Sequence, residues 1–139
     1  MENFIVIESI SSTPEWEQIF KTAIDICDSF SIVFPNGAFV EDNPLIAGKL
    51  DFENILNVTV SSWPKMEDSS VFSGELNDFS RNLFLQYAFN ERFPYLWNFS
   101  FSKDGLEVLN VQDFYVCLIE PYPELLEMLN NRNINLWNL

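Results

Sequence analysis

The side chains that could carry chemistry in this sequence are acids and thiols. The 139 residues include 21 Asp and Glu, two Cys and no His. Without imidazole, the chain lacks the commonest general base and the commonest transition-metal ligand. Catalytic triads and dyads built on histidine are therefore excluded, and with them most hydrolytic and zinc chemistry. We expect a protein that is not an enzyme.

The two thiols, Cys27 and Cys117, each lie inside an apolar pattern. Free cysteine in such a pattern is typically buried and reduced. The two are far apart in sequence and form no C-x-x-C pair of the kind that binds zinc. The four glycines form no phosphate-binding loop. We expect no metal and no cofactor.

Two carboxylates could in principle cleave a glycosidic bond without any histidine. Glu107 and Asp113 flank a predicted strand and are one such pair. Acidic residues are rarely buried, so we interpret both as exposed, solvated charges. A small carboxylate-based enzyme, or a ligand-binding domain lined by the many Phe residues, stays open as an alternative.

The acidic excess indicates which partners the protein attracts. With only 7 Lys and Arg, the formal net charge is −14. Such a charge repels phosphates, which argues against direct binding of nucleic acid. It attracts basic proteins and speeds their association. The simpler alternative is that the surplus serves solubility alone.

We predict that a basic protein partner contacts the outer face of the first helix, the acidic loops and one aromatic anchor. Trp63 precedes Pro64 at the end of a predicted strand, where an indole either supplies desolvated contact area or packs in the core. The predicted partner-binding residues are Glu17, Asp25, Asp28, Glu41, Asp42, Trp63, Glu67 and Asp68.

The elements that must position these residues form one α+β domain spanning residues 1–139. Apolar spacings of three and four predict a helix over 14–29, which Thr13 can cap, and a helix over 74–89, whose apolar pattern includes Phe79. A short helix is predicted over 124–130. Strands are predicted over 4–8, 30–34, 55–60, 95–102 and 114–119, whereas 65–73 is polar and loop-like. We expect a mainly antiparallel sheet packed against two or three helices.

An aromatic ladder is the clearest local pattern in the chain. Tyr95, Trp97, Phe99 and Phe101 alternate with other residues along one predicted strand. Such a ladder could stack the bases of single-stranded nucleic acid, but that use needs a basic groove. We therefore predict that the ladder faces the core beneath a helix.

No segment has the pattern of a membrane span or a secretion signal. The longest apolar runs have about the length of a strand, far below the roughly 20 residues that a span needs. The first residues lack the basic region of a signal peptide. We expect a cytoplasmic protein that makes no membrane contact.

The order of these features resembles bacterial toxin-immunity proteins, including those of contact-dependent growth-inhibition systems. The resemblance lies in Val60-Ser61-Ser62-Trp63 before a helix, the aromatic hairpin, and residues 108–112 leading into 114–120. It implies an inert cytoplasmic protein that binds one cognate toxin or nuclease domain and blocks its active site. No individual residue takes a role from the resemblance.

Two further alternatives remain at this level. A nucleic-acid mimic would occupy a DNA-binding groove and needs carboxylates in rows at the spacing of phosphates. A structural subunit of a larger assembly needs a large exposed apolar patch. The sequence shows scattered acids and leaves the oligomeric state undetermined.

Overall fold

One antiparallel sheet organises the computed structural model, which describes residues 4–37, 43–90 and 95–139. The strands lie side by side in the order β1-β7-β6-β5-β2-β4-β3, so β1 and β3 are its edges. Their bounds are β1 Ile5–Ile7, β2 Ser29–Pro35, β3 Thr59–Ser62, β4 Ser69–Glu75, β5 Asn98–Lys103, β6 Leu106–Gln112 and β7 Val116–Ile119.

Helices cover one face of this sheet. Phe20 of the first helix and Phe84 of the third both contact Phe99 and Phe101 of β5. Phe52 of the second helix contacts β2, and the fourth helix packs against the first. The helices are α1 Trp16–Ile26, α2 Lys49–Glu53, α3 Asp78–Ala88 and α4 Pro123–Asn130. None of the described helices is long and apolar enough to cross a membrane.

The opposite face of the sheet, here called the open face, is covered by none of the described helices. Side chains alternate between the two faces along each strand. Ser31 of β2 and Ser100 of β5 therefore point away from the helices, and their Oγ atoms lie 2.6 Å apart. One row of directly opposed residues crosses all seven strands: Thr59, Ser73, Ser31, Ser100, Asn110, Leu118 and Val6.

The structure confirms the α+β class, the antiparallel sheet and the terminal helix. It also confirms the β5–β6 hairpin, where Asp104 and Gly105 adopt positive φ angles of 50° and 83°. Both cysteines are buried and free. In each case, the local pattern and the tertiary environment favour the same structure.

Several local predictions were wrong. Residues 65–73 contain the start of β4, not only a loop, because β4 pairs with β2 on one side and β3 on the other. Phe79 is 58% exposed, because α3 begins only at Asp78 and turns this side chain outward. Thr13 does not cap α1: its hydroxyl donates to the Ser9 carbonyl instead.

Candidate functional site

Trp63 lies where β3 ends and packs against Trp97. Its backbone N–H donates to the Ser69 carbonyl at 3.0 Å, which extends the β3–β4 pairing by one residue. The two indole centroids are 5.5 Å apart, with the rings at 73°. Edge-to-face contacts of this kind are favourable beyond the area they bury. Trp63 stays half-buried, whereas Trp97 is buried outside the main core cluster.

The indole pair lies at one end of the sheet. The strands of Trp63 and Trp97 have β4 and β2 between them, a separation of about 14 Å at ordinary strand spacing. Both side chains must therefore reach across the two intervening strands to meet. Val33 and Ser69, which belong to those strands, are only 6% and 3% exposed. Trp63 is thus a partly exposed side chain on a rigid support.

Two buried polar atoms near this end have no hydrogen-bond partner among the described residues. They are Ser69 Oγ and Asn98 Nδ2. Asn98 Oδ1 is satisfied, because it accepts from the Asp113 backbone N–H at 3.1 Å. Buried polar groups left without partners are rare and cost stability.

Glu67 and Asp68 lie in the tight connection between β3 and β4, next to Trp63. Asp68 has a left-handed φ of 62°, and its carbonyl accepts from the Asn36 backbone N–H at 2.6 Å. This bond ties the connection to the end of β2. Both side chains are exposed, and neither has an ion-pair partner within the described residues. We call Trp63, Glu67 and Asp68 the hairpin patch.

Charge is almost absent from the strands. The charged strand residues are Glu75, Lys103 and Glu107, each within two positions of a strand end. The centre of the open face is therefore neutral in a chain of net charge −14. A charge-depleted centre with an aromatic side chain and a charged rim is the usual anatomy of a protein interface.

The structure does not bring all the predicted partner-binding residues together. Asp28 precedes β2, whose seven residues place it about 20 Å from the hairpin patch. Its carboxylate accepts from the Asp104 backbone N–H at 3.1 Å, which gives it a structural role. Asp25 is exposed on α1, and Glu17 forms a 2.9 Å ion pair with Lys21. The predicted residues Glu41 and Asp42 lie outside the described residues.

Most described carboxylates remain without a basic partner. Only two ion pairs occur in the described part of the chain, Glu17–Lys21 within α1 and Glu53–Lys49 within α2. Each joins residues four positions apart. Arg81 and Arg132 donate to neutral oxygens rather than to carboxylates. The acidic field is therefore largely available to a basic partner.

Neither thiol has the environment of a nucleophile. Burial raises the pKa of Cys27 to about 12 and raises the pKa of Cys117 well above its usual range. A reactive cysteine needs a lowered pKa, because the thiolate is the nucleophile. In the portion that the structure describes, no three Asp, Glu or Cys side chains form a group able to hold a metal ion.

The sequence singled out Trp63, Glu67 and Asp68 as candidate residues but did not indicate the open face near which they lie. The available signal was the pair of alternating serines in each of two strands, Ser29 and Ser31 of β2 and Ser100 and Ser102 of β5. The strand order that joins these serines was not readable from the sequence. Comparison with family models, curated proteins and solved structures gave no match for this chain.

Proposed function

We propose that this chain is an acidic interaction protein that binds a basic toxin or nuclease domain and blocks its active site, as an immunity protein does. The observation that carries the proposal is the hairpin patch. It combines a half-buried indole with two carboxylates that form no ion pair among the described residues, at the border of a sheet face whose centre is neutral.

Each part of the hairpin patch suits a different contribution to binding. Trp63 offers apolar area that is already held in place by Trp97, so little side-chain entropy is lost when a partner covers it. Glu67 and Asp68 are placed to pair with Lys or Arg at the rim, where charges govern mainly the association rate. Lys65 in the same connection forms no ion pair among the described residues and leaves this loop with a net negative charge.

The nucleic-acid mimic has less support from the same geometry. It requires carboxylates in parallel rows, whereas the described acids lie on separate helices, at strand ends and in connecting loops. The enzyme alternative gains no support from Glu107 and Asp113, since both are exposed and Glu107 accepts from Asn110 Nδ2 at 2.7 Å.

A growth assay tests the proposal directly. A basic protein captured by this chain from its host at low salt is produced alone in cells, then together with the chain. We expect growth to stop and then to be restored. We expect Trp63→Ala to weaken binding by tenfold or more, about 1.4 kcal/mol or more, and to abolish the rescue.

The matched control is Trp137→Ala, which removes an equally large side chain that is 58% exposed and lies 74 positions further along the sequence. This variant should bind and rescue like the original chain. The proposal is wrong if no captured protein is toxic, or if Trp63→Ala rescues growth as well as Trp137→Ala does.

A further inference from the structure

The edge strand β3 exposes a backbone that is ready for pairing. It is the last strand in the sheet order, and no described strand pairs with its outer side. All four of its residues are exposed, and Val60 retains 54% of its accessible surface. The strand at the opposite edge, β1, is only three residues long, and the charged residue Glu8 follows it directly.

The pairing register shows which backbone groups point outward. Trp63 N–H donates to Ser69 across the pair, so Trp63 and Ser69 form a hydrogen-bonded pair. Such pairs alternate along an antiparallel ladder with pairs that are not hydrogen-bonded. Val60 and Ser62 therefore direct their N–H and C=O groups away from β4.

A second part of the ladder supports this assignment. On the other side of β4, Asn36 N–H donates to Asp68 and Leu76 N–H donates to Asp28, in register with β2. The even-numbered residues of β4 are thus bonded to β2, which leaves its odd-numbered residues for β3. The outward direction of Val60 and Ser62 follows from both ladders.

This edge lacks the devices that usually protect an edge strand. Natural edges carry charged side chains, proline or a bulge, which prevent pairing with another chain. Residues 54–64 contain no charged side chain, and the only proline is Pro64, beyond the strand. The β3–β4 register is regular, with no bulge. Leu56, 86% exposed, adds apolar surface just before the strand.

We propose that the outer edge of β3 binds an extended segment of the basic partner, which adds an eighth strand to the sheet through the backbone groups of Val60 and Ser62. This inference rests on the proposed function and specifies how the partner is held. A second copy of the chain fits the edge less well, because it brings another net charge of −14.

The surroundings of β3 define the chemistry of that segment. Val60 lies opposite Phe72, on the helix-covered side of the sheet, and favours an apolar neighbour. Thr59 and Ser61 lie on the open face, in line with Trp63 and near the acidic connection. Strand addition uses main-chain hydrogen bonds for affinity and alternate side chains for specificity. The expected segment therefore alternates apolar with basic side chains.

The test uses the peptide acetyl-Lys-Val-Lys-Val-Lys-Val-amide and a version N-methylated at every residue, because methylation of alternate residues would leave one edge of the peptide free to pair. Both carry the same charge, but the methylated peptide cannot form a ladder. We expect the plain peptide to bind at least tenfold more tightly. We also expect it to slow amide exchange at Val60 and Ser62 by tenfold or more, measured by nuclear magnetic resonance.

Val60→Pro removes one outward N–H and leaves the inner ladder intact, since proline is tolerated where an edge N–H faces solvent. It should reduce plain-peptide affinity at least tenfold, whereas Val60→Thr, which keeps that N–H, should not. The amide-exchange measurement on the unaltered chain decides the question even if Val60→Pro fails to fold.

Equal binding of both peptides, without protection of Val60 and Ser62, would overturn the strand-addition inference and leave the proposed recognition of basic proteins standing. Binding of neither peptide would overturn the inference and also count against recognition of basic segments. The growth assay with Trp63→Ala tests the proposed function separately.

Discussion

At the residue scale, the few cations of this protein serve the backbone more than they neutralise acids. The Arg81 guanidinium donates from Nε to the Ile24 carbonyl at 3.0 Å and from Nη2 to the Cys27 carbonyl at 2.8 Å. These carbonyls belong to the C-terminal end of α1, where helices leave acceptors unsatisfied and favour positive charge. Arg81 thereby joins α3 to the C-terminal end of α1.

Replacing Arg81 by alanine should lower the free energy of unfolding by about 1–3 kcal/mol, since two half-buried carbonyls lose a charged donor. Arg81→Lys should recover only part of the loss, because an ammonium group lacks the fork of donors. Urea denaturation measures the change. Asn82→Ala, at the exposed neighbouring position, is the control and should change stability by less than about 0.5 kcal/mol.

The buried thiols should make the protein less stable at alkaline pH. Burial raises the pKa of Cys27 to about 12, whereas the thiol of an unfolded chain has a pKa of about 8.5. The contribution of this thiol to stability is therefore fully present below about pH 8.5 and is lost as pH rises toward 12. Urea denaturation from pH 7 to 10 should show the decline.

A variant with Cys27→Ala and Cys117→Ala should have a shallower decline with pH, even if it is less stable overall. An identical slope in the variant and the original chain would contradict the assignment of the decline to these thiols. Thiol-specific reagents should label neither cysteine rapidly at pH 7 while the chain is folded.

At the scale of elements, α3 is positioned by its first turn. Asn77 Oδ1 accepts from the Ser80 backbone N–H at 3.0 Å, and the Ser80 hydroxyl accepts from the Asn77 N–H at 2.9 Å. This reciprocal capping box satisfies two donors that the helix otherwise leaves free. It sets where α3 begins, and with that the position of Phe84 over the sheet.

Asn77→Ala should destabilise the protein by about 1 kcal/mol, the usual effect of losing an N-cap side chain. Asn77→Asp should retain most of the stability, because a carboxylate accepts the same bond near the positive end of the helix. Thermal unfolding compares the variants. Gln86→Ala, at an exposed position within α3, should leave the melting temperature nearly unchanged.

At the scale of the whole molecule, carboxylates repel one another with little compensation from cations. The net charge is −14, and the described residues form two ion pairs. Self-repulsion of this kind destabilises a folded chain. At physiological ionic strength, salt screens the repulsion between exposed charges that lie more than roughly 8–10 Å apart.

Sodium chloride at 0.5 M, which shortens the screening length toward the roughly 3 Å reached at 1 M, should raise the melting temperature by several degrees. A variant with Asp25→Asn and Glu127→Gln, both exposed positions, should show a smaller rise, because less repulsion remains to be screened. A melting temperature that falls with salt in both proteins would show that net attraction, not repulsion, dominates the surface charges.

The sequence by itself determined the fold class, the acidic field and the absence of histidine chemistry. It also determined that α1 buries one apolar face and that Cys27 and Cys117 are buried. Both features follow from composition and local periodicity. The wrong predictions concern β4, Phe79 and the Thr13 cap. A serine-rich strand resembles a loop until its partners are known, and the direction of Phe79 depends on where α3 begins.

Only the tertiary structure decided which surfaces exist. The contact of Trp63 with Trp97 joins segments that lie far apart in sequence, and the row of neutral residues across the open face depends on the order of seven strands. Strand order is set by packing against helices and by long-range pairing, neither of which leaves a local pattern. For the same reason, only the structure separates Asp28 from the hairpin patch and leaves β3 at an edge.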